Sequence, residues 1–579
     1  MIGGLETNMI RSRLLLALLL STLAPAQVKN FKPVTQQMLE NPPADDWLMF
    51  SRTYDAQRFS PLKQITKQNV GQLRMTWTRG IGAGQTETIP LVHDGVMYVI
   101  APGAIVQALD GATGDLLWEY KRKVAANVAG QARSKSLAIF GDIIAYTAPD
   151  STVVGLDTRT GEMRWETKVD SRGNTSGPII AEGKVISSGA CAGNRANCYI
   201  SAHDAVTGKE IWRFYTTPAP GEPGDESWAG APVDKRLAST WGAPGAYDVA
   251  RKLLIWGVAN PMPDQRAQRH GSADAIPLEA PADLYSNSTI ALDTNTGKLA
   301  WYYQHLPGDD ADQDYTNERI LLRTRVNPDP KFVKWINPDV PKGQERDIAM
   351  TIGEGGGIWA LDRSNGQFLW ANPFPFDTPN SSLGDIDVHT GRTRYNTNNI
   401  FRTPGERHIL CYWNTKSYWP MAYSPETNSV YSGYIDNCRD LTTAGPNGRG
   451  DWKVVQRPGG DPQALTGLAK IDMTTGEILR FNVGRAPSTG AVLATAGGLI
   501  FHGDMSRRFR AFDAQSGKPL WEAILGGNVS VSTISYAASG KQYVAVMTGD
   551  NLKVPELAAE APGLKTPTGH NAIYVFALP

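Results

Sequence analysis

Cysteine, histidine and net charge are all scarce in this chain, and each scarcity excludes something. Four cysteines in 579 residues are too few for a small scaffold held by a dense disulfide framework. None belongs to a Cys-x-x-Cys-His sequence, so no c-type haem is expected on the chain itself. Eight scattered histidines form no cluster, and no framed nucleophile stands near them, which argues against a hydrolase or lyase. Charge of neither sign prevails: 57 Lys and Arg balance 57 Asp and Glu, leaving no field that would recruit nucleic acid or an anionic membrane surface. Long apolar runs are missing too, so no membrane span is expected, since one needs about 20 such residues. What is abundant is glycine (58), proline (38) and tryptophan (16), the composition of many tight turns and many aromatic anchors in an all-β protein of short strands.

The N-terminal stretch has the pattern of an export signal. Arg11 and Arg13 precede the apolar run Leu14 to Leu20, and Ala24-Pro25-Ala26 supplies small residues for cleavage. A signal peptide over 1–26 is expected, with Met9 as a second candidate start and a mature chain from Gln27. In an exported chain the cysteines read as disulfides. Cys191 lies close to Cys198 and Cys411 to Cys438, so two local bridges are the simplest of the three connectivities, each stabilising by about 2 to 4 kcal/mol.

Internal repetition is the strongest signal. ALDGATGDLLW (Ala108 to Trp118) recurs as GLDTRTGEMRW (Gly155 to Trp165), AHDAVTGKEIW (Ala202 to Trp212) and ALDTNTGKLAW (Ala291 to Trp301). ALDRSNGQFLW (Ala360 to Trp370), KIDMTTGEILR (Lys470 to Arg480) and AFDAQSGKPLW (Ala511 to Trp521) complete seven copies. Each reads as a strand ending at Asp, a turn closed by Gly, and a second strand ending at Trp. Asp can accept from backbone amides across the turn, and Gly provides the positive φ that it needs. Alternating segments such as Asp94 to Val99 and Gly141 to Thr147 precede the copies, giving about four strands per unit. Trp118, Trp165 and Trp212 follow at intervals of 47 residues, a propeller-blade period. NVGQLRMTW, ending at Trp77, resembles the tail of one more copy without its turn. Eight units closing into a ring would leave no free sheet edge. The fold expected is thus one all-β, eight-bladed propeller domain over 27–579, with most repeat Asp, Gly and Trp residues serving as scaffold.

This tryptophan-docking repeat resembles that of the quinoprotein alcohol dehydrogenases, bacterial enzymes dependent on pyrroloquinoline quinone (PQQ) that include methanol and ethanol dehydrogenases. The likeness runs from about Trp47 to the C-terminus. It implies PQQ, one metal ion, Ca²⁺ or a lanthanide, an alcohol substrate and a periplasmic location, with a soluble cytochrome c taking the electrons. A similar repeat also occurs in a non-catalytic propeller scaffold, the alternative reading, so residues near the axis decide.

The likeness extends to those residues one at a time. HLPGDDADQDYTNE (His305 to Glu318) is similar to the segment that carries the catalytic aspartate, which places it at Asp312, the base for an alcohol proton. Asp314 resembles the extra carboxylate of the lanthanide-dependent branch, and Asn260, after LLIWGV, the metal-ligating asparagine. Metal ligands implied are therefore Asn260, Asp312 and Asp314. A further glutamate usual in the turn 188–199 is replaced by Gly193 or Asn194, which leaves calcium and lanthanide both open. For PQQ, Glu87 matches a glutamate near the cofactor, and Lys135 or Arg133 offers a cation for its three carboxylates. Ser176 and Gly177 occupy a turn that presents a hydroxyl, and Trp241 resembles the aromatic floor under the ring. Glu354 stands where a basic residue is usual, as cofactor contact or further ligand. No cysteine lies in 123–136, where relatives carry a vicinal disulfide, so the ceiling over the quinone differs. The Pro- and Gly-rich insertions 216–237 and 261–284 are expected to roof the pocket and select the alcohol, one bulkier than methanol.

Overall fold

The computed structural model describes residues 28–129, 133–169, 175–191, 193–443, 450–551, 553–561 and 563–579; the expected signal peptide, 1–26, lies outside them. Short apolar runs cut by Asp-x-x-x-Gly turns become antiparallel strands. In the repeat beginning at Ala108, Val96–Ala101 and Ile105–Asp110 are buried almost throughout, while Leu116–Lys121 alternates between buried and exposed. Inner strands are covered on both faces by neighbouring sheets, whereas the last strand of each sheet meets water on one side. The turn follows its predicted chemistry: Asp110 Oδ1 accepts from the amides of Ala112 (2.8 Å) and Thr113 (3.0 Å), and Gly114 has φ +78°.

Among the described residues the strands form eight sheets of four or five strands and three smaller ones. Seven of the larger sheets run in chain order, from Leu91–His93 through Pro519–Ile524. The eighth joins the two ends of the chain: Arg74–Gly80 pairs with Ala572–Ala577, followed by Lys541–Thr548 and Ile534–Ala538. Adjacent sheets are tied by the repeat tryptophans. Indole Nε1 of Trp77, Trp118, Trp165 and Trp212 donates to the carbonyls of Gly111, Thr158, Ala205 and Thr294 in the next sheet, at 2.9 to 3.2 Å. Each ring lies flat against the next turn's glycine, so that a methyl placed on Gly297 would come 2.5 Å from the Trp212 ring. Where the sixth copy ends in Arg480, Phe481 supplies the ring and packs on Gly517.

Helices are short, the longest α-helix among the described residues having five residues, and none of them is long and apolar enough to cross a membrane. Both cysteine pairs are bonded, Cys191 to Cys198 and Cys411 to Cys438. The second bridge joins strands Arg407–Cys411 and Asn437–Thr442 of a three-stranded sheet completed by Trp452–Gln456. This small sheet and the insertion 261–284 both reach the cavity described next.

Candidate active site

Loops leading into the first strands of successive sheets meet one another, which brings together residues far apart in sequence. Glu87 precedes Leu91–His93, Lys135 precedes Ala138–Phe140, Ser176 and Gly177 precede Ile179–Ala181, and Trp241 precedes Ala246–Asp248. The Lys135 ammonium lies 3.0 Å from Glu87 Oε2, both fully or nearly buried. It donates to the carbonyls of Thr175 (3.2 Å) and Trp241 (3.3 Å) and sits over the rings of Trp241 and Tyr418, at 5.2 and 4.7 Å. Burial pulls its pKa down, and Glu87 pulls it back up. Gly177 has φ +84°, and a methyl there would strike the Ser136 backbone, so this turn packs directly on the neighbour of Lys135. Ser176 Oγ shares a 2.7 Å hydrogen bond with Ser188.

Trp241 links this half of the site to the acidic half. Its Nε1 donates to Asp314 Oδ2 at 2.5 Å, and the Asn260 amide donates to Asp314 Oδ1 at 2.8 Å. Even so, burial pushes the Asp314 carboxyl well above the ordinary range, with the charges of Asp312 and Glu354 adding to the rise. Glu354 is likewise pushed up to about 7, chiefly by burial, with Lys553 opposing and Asp312 reinforcing the shift. One of its oxygens, Oε1, is buried with no hydrogen-bond partner.

The aspartate-rich loop is buried rather than solvated, and its four aspartates divide the work. Asp309 caps its own loop, accepting from Ala311 (3.0 Å) and Gln313 (2.7 Å). Asp310 accepts from Arg266 and Phe401 amides at 2.5 and 2.7 Å. Asp314 is pinned as described. Asp312 alone turns outward, its side chain 34% exposed on a left-handed backbone of φ +57°. It borders a cavity of about 230 Å³ shared with Asp264, Trp413, Arg439, Trp452 and Lys553. Arg439 Nη1 stands 3.9 Å from Asp312 Oδ2 and donates to the Ala311 carbonyl at 2.9 Å. Its guanidinium stacks on Trp413 (4.4 Å) and Trp452 (4.6 Å).

The structure thus gathers Glu87, Lys135, Trp241, Asn260, Asp312, Asp314 and Glu354 into one cluster, with Ser176 and Gly177 beside it. Arg133 is electrostatically coupled to Lys135, and its Nε is buried and unpartnered. Gly193 and Asn194, where a glutamate was expected, face solvent; Asn194 caps its own turn by accepting from Ala196. Sequence reading missed Tyr418, Trp413, Arg439, Trp452 and Lys553, which lie outside the repeats and carry no periodic signal.

The donor chemistry fits the two implied groups. Mutually repelling carboxyls and an amide are hard oxygen donors that a multivalent cation would neutralise, although among the described residues no three His, Cys, Asp or Glu side chains stand close enough together to hold a metal ion by themselves. A buried lysine with one carboxylate partner, and an arginine with an unused donor, would compensate a planar polyanion.

Comparison with known proteins agrees with this chemistry. Residues 47–371 and 453–544, well over half of the chain, match the family described as PQQ-dependent glucose/ethanol/alcohol dehydrogenase, β-propeller domain. The chain belongs to this family. It is 29% identical over 549 residues to the quinohemoprotein alcohol dehydrogenase ADH-IIG of Pseudomonas putida, covering 87% of this chain and 72% of the relative. To the quinoprotein ethanol dehydrogenase of the same species it is 28% identical, covering 97% and 95%. A solved europium-containing methanol dehydrogenase superposes on this chain with a TM-score of 0.77 at 26% identity, covering 94% of this chain and 99% of that one. The family and its named relatives make this chain an alcohol-oxidising enzyme.

Proposed function

We propose that the eight sheets are the blades of one closed ring with docked tryptophans, and that its axial cluster oxidises an alcohol to an aldehyde or ketone with Asp312 as general base. The observation that carries this reading is the division within one loop, where Asp312 is part-exposed at the cavity it borders, its side chain 34% exposed, while its three neighbouring aspartates are buried and bound. A scaffold would have no use for buried, mutually repelling carboxyls, which cost stability when unpaired.

PQQ would be held by Glu87, Lys135, Arg133, Ser176, Gly177 and Trp241, and a metal ion by Asn260, Asp312, Asp314 and Glu354; when bound, they supply a two-electron acceptor and Lewis acidity. The chain itself does the rest. Asp312 meets the substrate hydroxyl at the cavity edge and takes its proton onto a carboxylate oxygen. Arg439 holds the loop through Ala311 and faces the same carboxylate, while Trp413 and Trp452 hold its guanidinium between their rings. Three carboxylates and an amide favour a trivalent lanthanide over Ca²⁺, and the europium-containing relative supports that choice. A cavity of about 230 Å³ is several times the roughly 30 Å³ share of one water, which supports an alcohol larger than methanol. With no haem-attachment sequence in the chain, electrons would pass to a separate cytochrome c, and two disulfides suit the periplasm. Asp312→Ala tests the assignment: turnover should disappear while PQQ remains bound, and unchanged turnover would discard Asp312 as the base.

A further inference from the structure

Lys553 lies in the C-terminal segment, outside every repeat turn, yet it borders the same cavity as Asp312. The residue is only 8% exposed. Its ammonium sits over the Trp413 ring at 4.8 Å, and its carboxylate neighbours stand off at 3.9 Å (Glu354 Oε1) and 3.7 Å (Glu556 Oε2). Both distances exceed direct hydrogen-bond reach, so the ammonium is held by charge while its donors remain uncommitted among the described residues. Asp312 and Asp314 also act on it electrostatically. Arg439, the other cation of this wall, is already occupied with Ala311 and two indoles. The backbone is arranged to keep Lys553 here: its amide donates to Asn551 Oδ1 at 2.9 Å, and Leu557, one helical turn on, is buried with Trp419, Ile435 and Met505.

We propose that Lys553 is a catalytic residue of the alcohol oxidation, an electrophile whose ammonium stabilises the negative charge that develops on the substrate oxygen. The inference rests on the function proposed above. In the step, the O–H proton passes to Asp312, the C–H hydrogen leaves with its bonding electron pair to the acceptor, and the carbon–oxygen double bond forms. Lys553 keeps its proton throughout and contributes a charged donor placed beforehand in a water-poor site, where such donors act most strongly. The same feature makes the cavity a binding site for small aliphatic carboxylates, whose oxygens imitate that charge.

Two readouts test this on the full-length protein. In protein loaded with PQQ and Ca²⁺ or La³⁺, Lys553→Met should lower kcat by roughly 10² to 10³-fold with KM little changed, and Lys553→Arg should recover most of the loss. In protein without PQQ or metal, propionate should quench indole emission through Trp413 where propionamide does not, in the wild type and Lys553→Arg but not in Lys553→Met. Unchanged kcat in Lys553→Met, or propionate quenching that survives it, would overturn the proposal. Equal loss in the Met and Arg variants together with lost PQQ binding would also overturn it, by showing a structural role. If the loaded wild type oxidises no alcohol while propionate binding still depends on Lys553, the anion site stands and the dehydrogenase reading fails.

Discussion

Glu560 gives a pH dependence of stability whose sign and size follow from its surroundings. The carboxyl is 7% exposed; Oε1 accepts from Asn437 Nδ2 at 2.8 Å, and Oε2 is buried with no partner. Burial pushes its pKa up to about 8 from the ordinary 4.5, against the opposing hydrogen bond from Asn437. Between those two pH values the folded chain keeps a proton that the unfolded chain releases. Stability from this group is therefore complete below about pH 4.5, falls as pH rises through the window, and levels off above about 8. At roughly 1.4 kcal/mol per tenfold change in proton affinity, the full loss is on the order of 5 kcal/mol. Glu560→Gln keeps the shape and a donor or acceptor but cannot ionise. Thermal midpoints of wild type and Glu560→Gln, measured by scanning fluorimetry from pH 4.5 to 9, should diverge progressively, the variant gaining on the wild type toward high pH. A constant difference across that range would refute the reasoning.

Other perturbations have equally definite outcomes. Lys135→Met strands the Glu87 carboxylate in the interior and should destabilise by about 3 to 5 kcal/mol while abolishing PQQ binding by fluorescence titration; adding Glu87→Gln should restore much of the stability but not the cofactor. Trp212→Ala should cost about 3 to 5 kcal/mol in denaturant unfolding. Gly297→Ala, with φ +69° and the Trp212 ring in the way, should destabilise as well, though its own chemistry is minimal. His93 Nδ1 and Nε2 lie 2.8 Å from Asp46 Oδ2 and the Lys32 carbonyl, two acceptors that imidazolium satisfies together, and its pKa is raised by Asp46 and Lys32 against burial. The contribution of His93 is thus present below about pH 6.5 and lost as pH climbs through the raised value, so His93→Ala should destabilise most at acid pH.

The sheets were legible because the repeat writes its own mechanism: an Asp that caps the turn, a Gly with positive φ, and a Trp that covers the next turn. Where the sixth copy ended in Arg480, the packing ring had moved one residue on, to Phe481. At the site, the frame of the segment His305 to Glu318 singled out Asp312, but the burial of Asp310 and Asp314 depends on partners at Arg266, Phe401, Asn260 and Trp241 that only folding brings near. Glu354 was visible merely as an acid in an unusual place. Its meaning comes from Lys553, about 200 residues later in the chain, and Gly193 and Asn194 proved to be exposed turn residues. Long-range charge pairing of this kind leaves no local pattern, which is why Arg439, Tyr418 and Lys553 had to be found in three dimensions.

Reconstitution is the most direct test of the catalytic claim. Protein prepared without cofactor, mixed with PQQ and either La³⁺ or Ca²⁺, should reduce a dye acceptor at the expense of primary or secondary alcohols, faster with La³⁺, and Asp312→Ala should not. Absence of alcohol-dependent dye reduction with either metal, in protein that demonstrably binds PQQ, would contradict it.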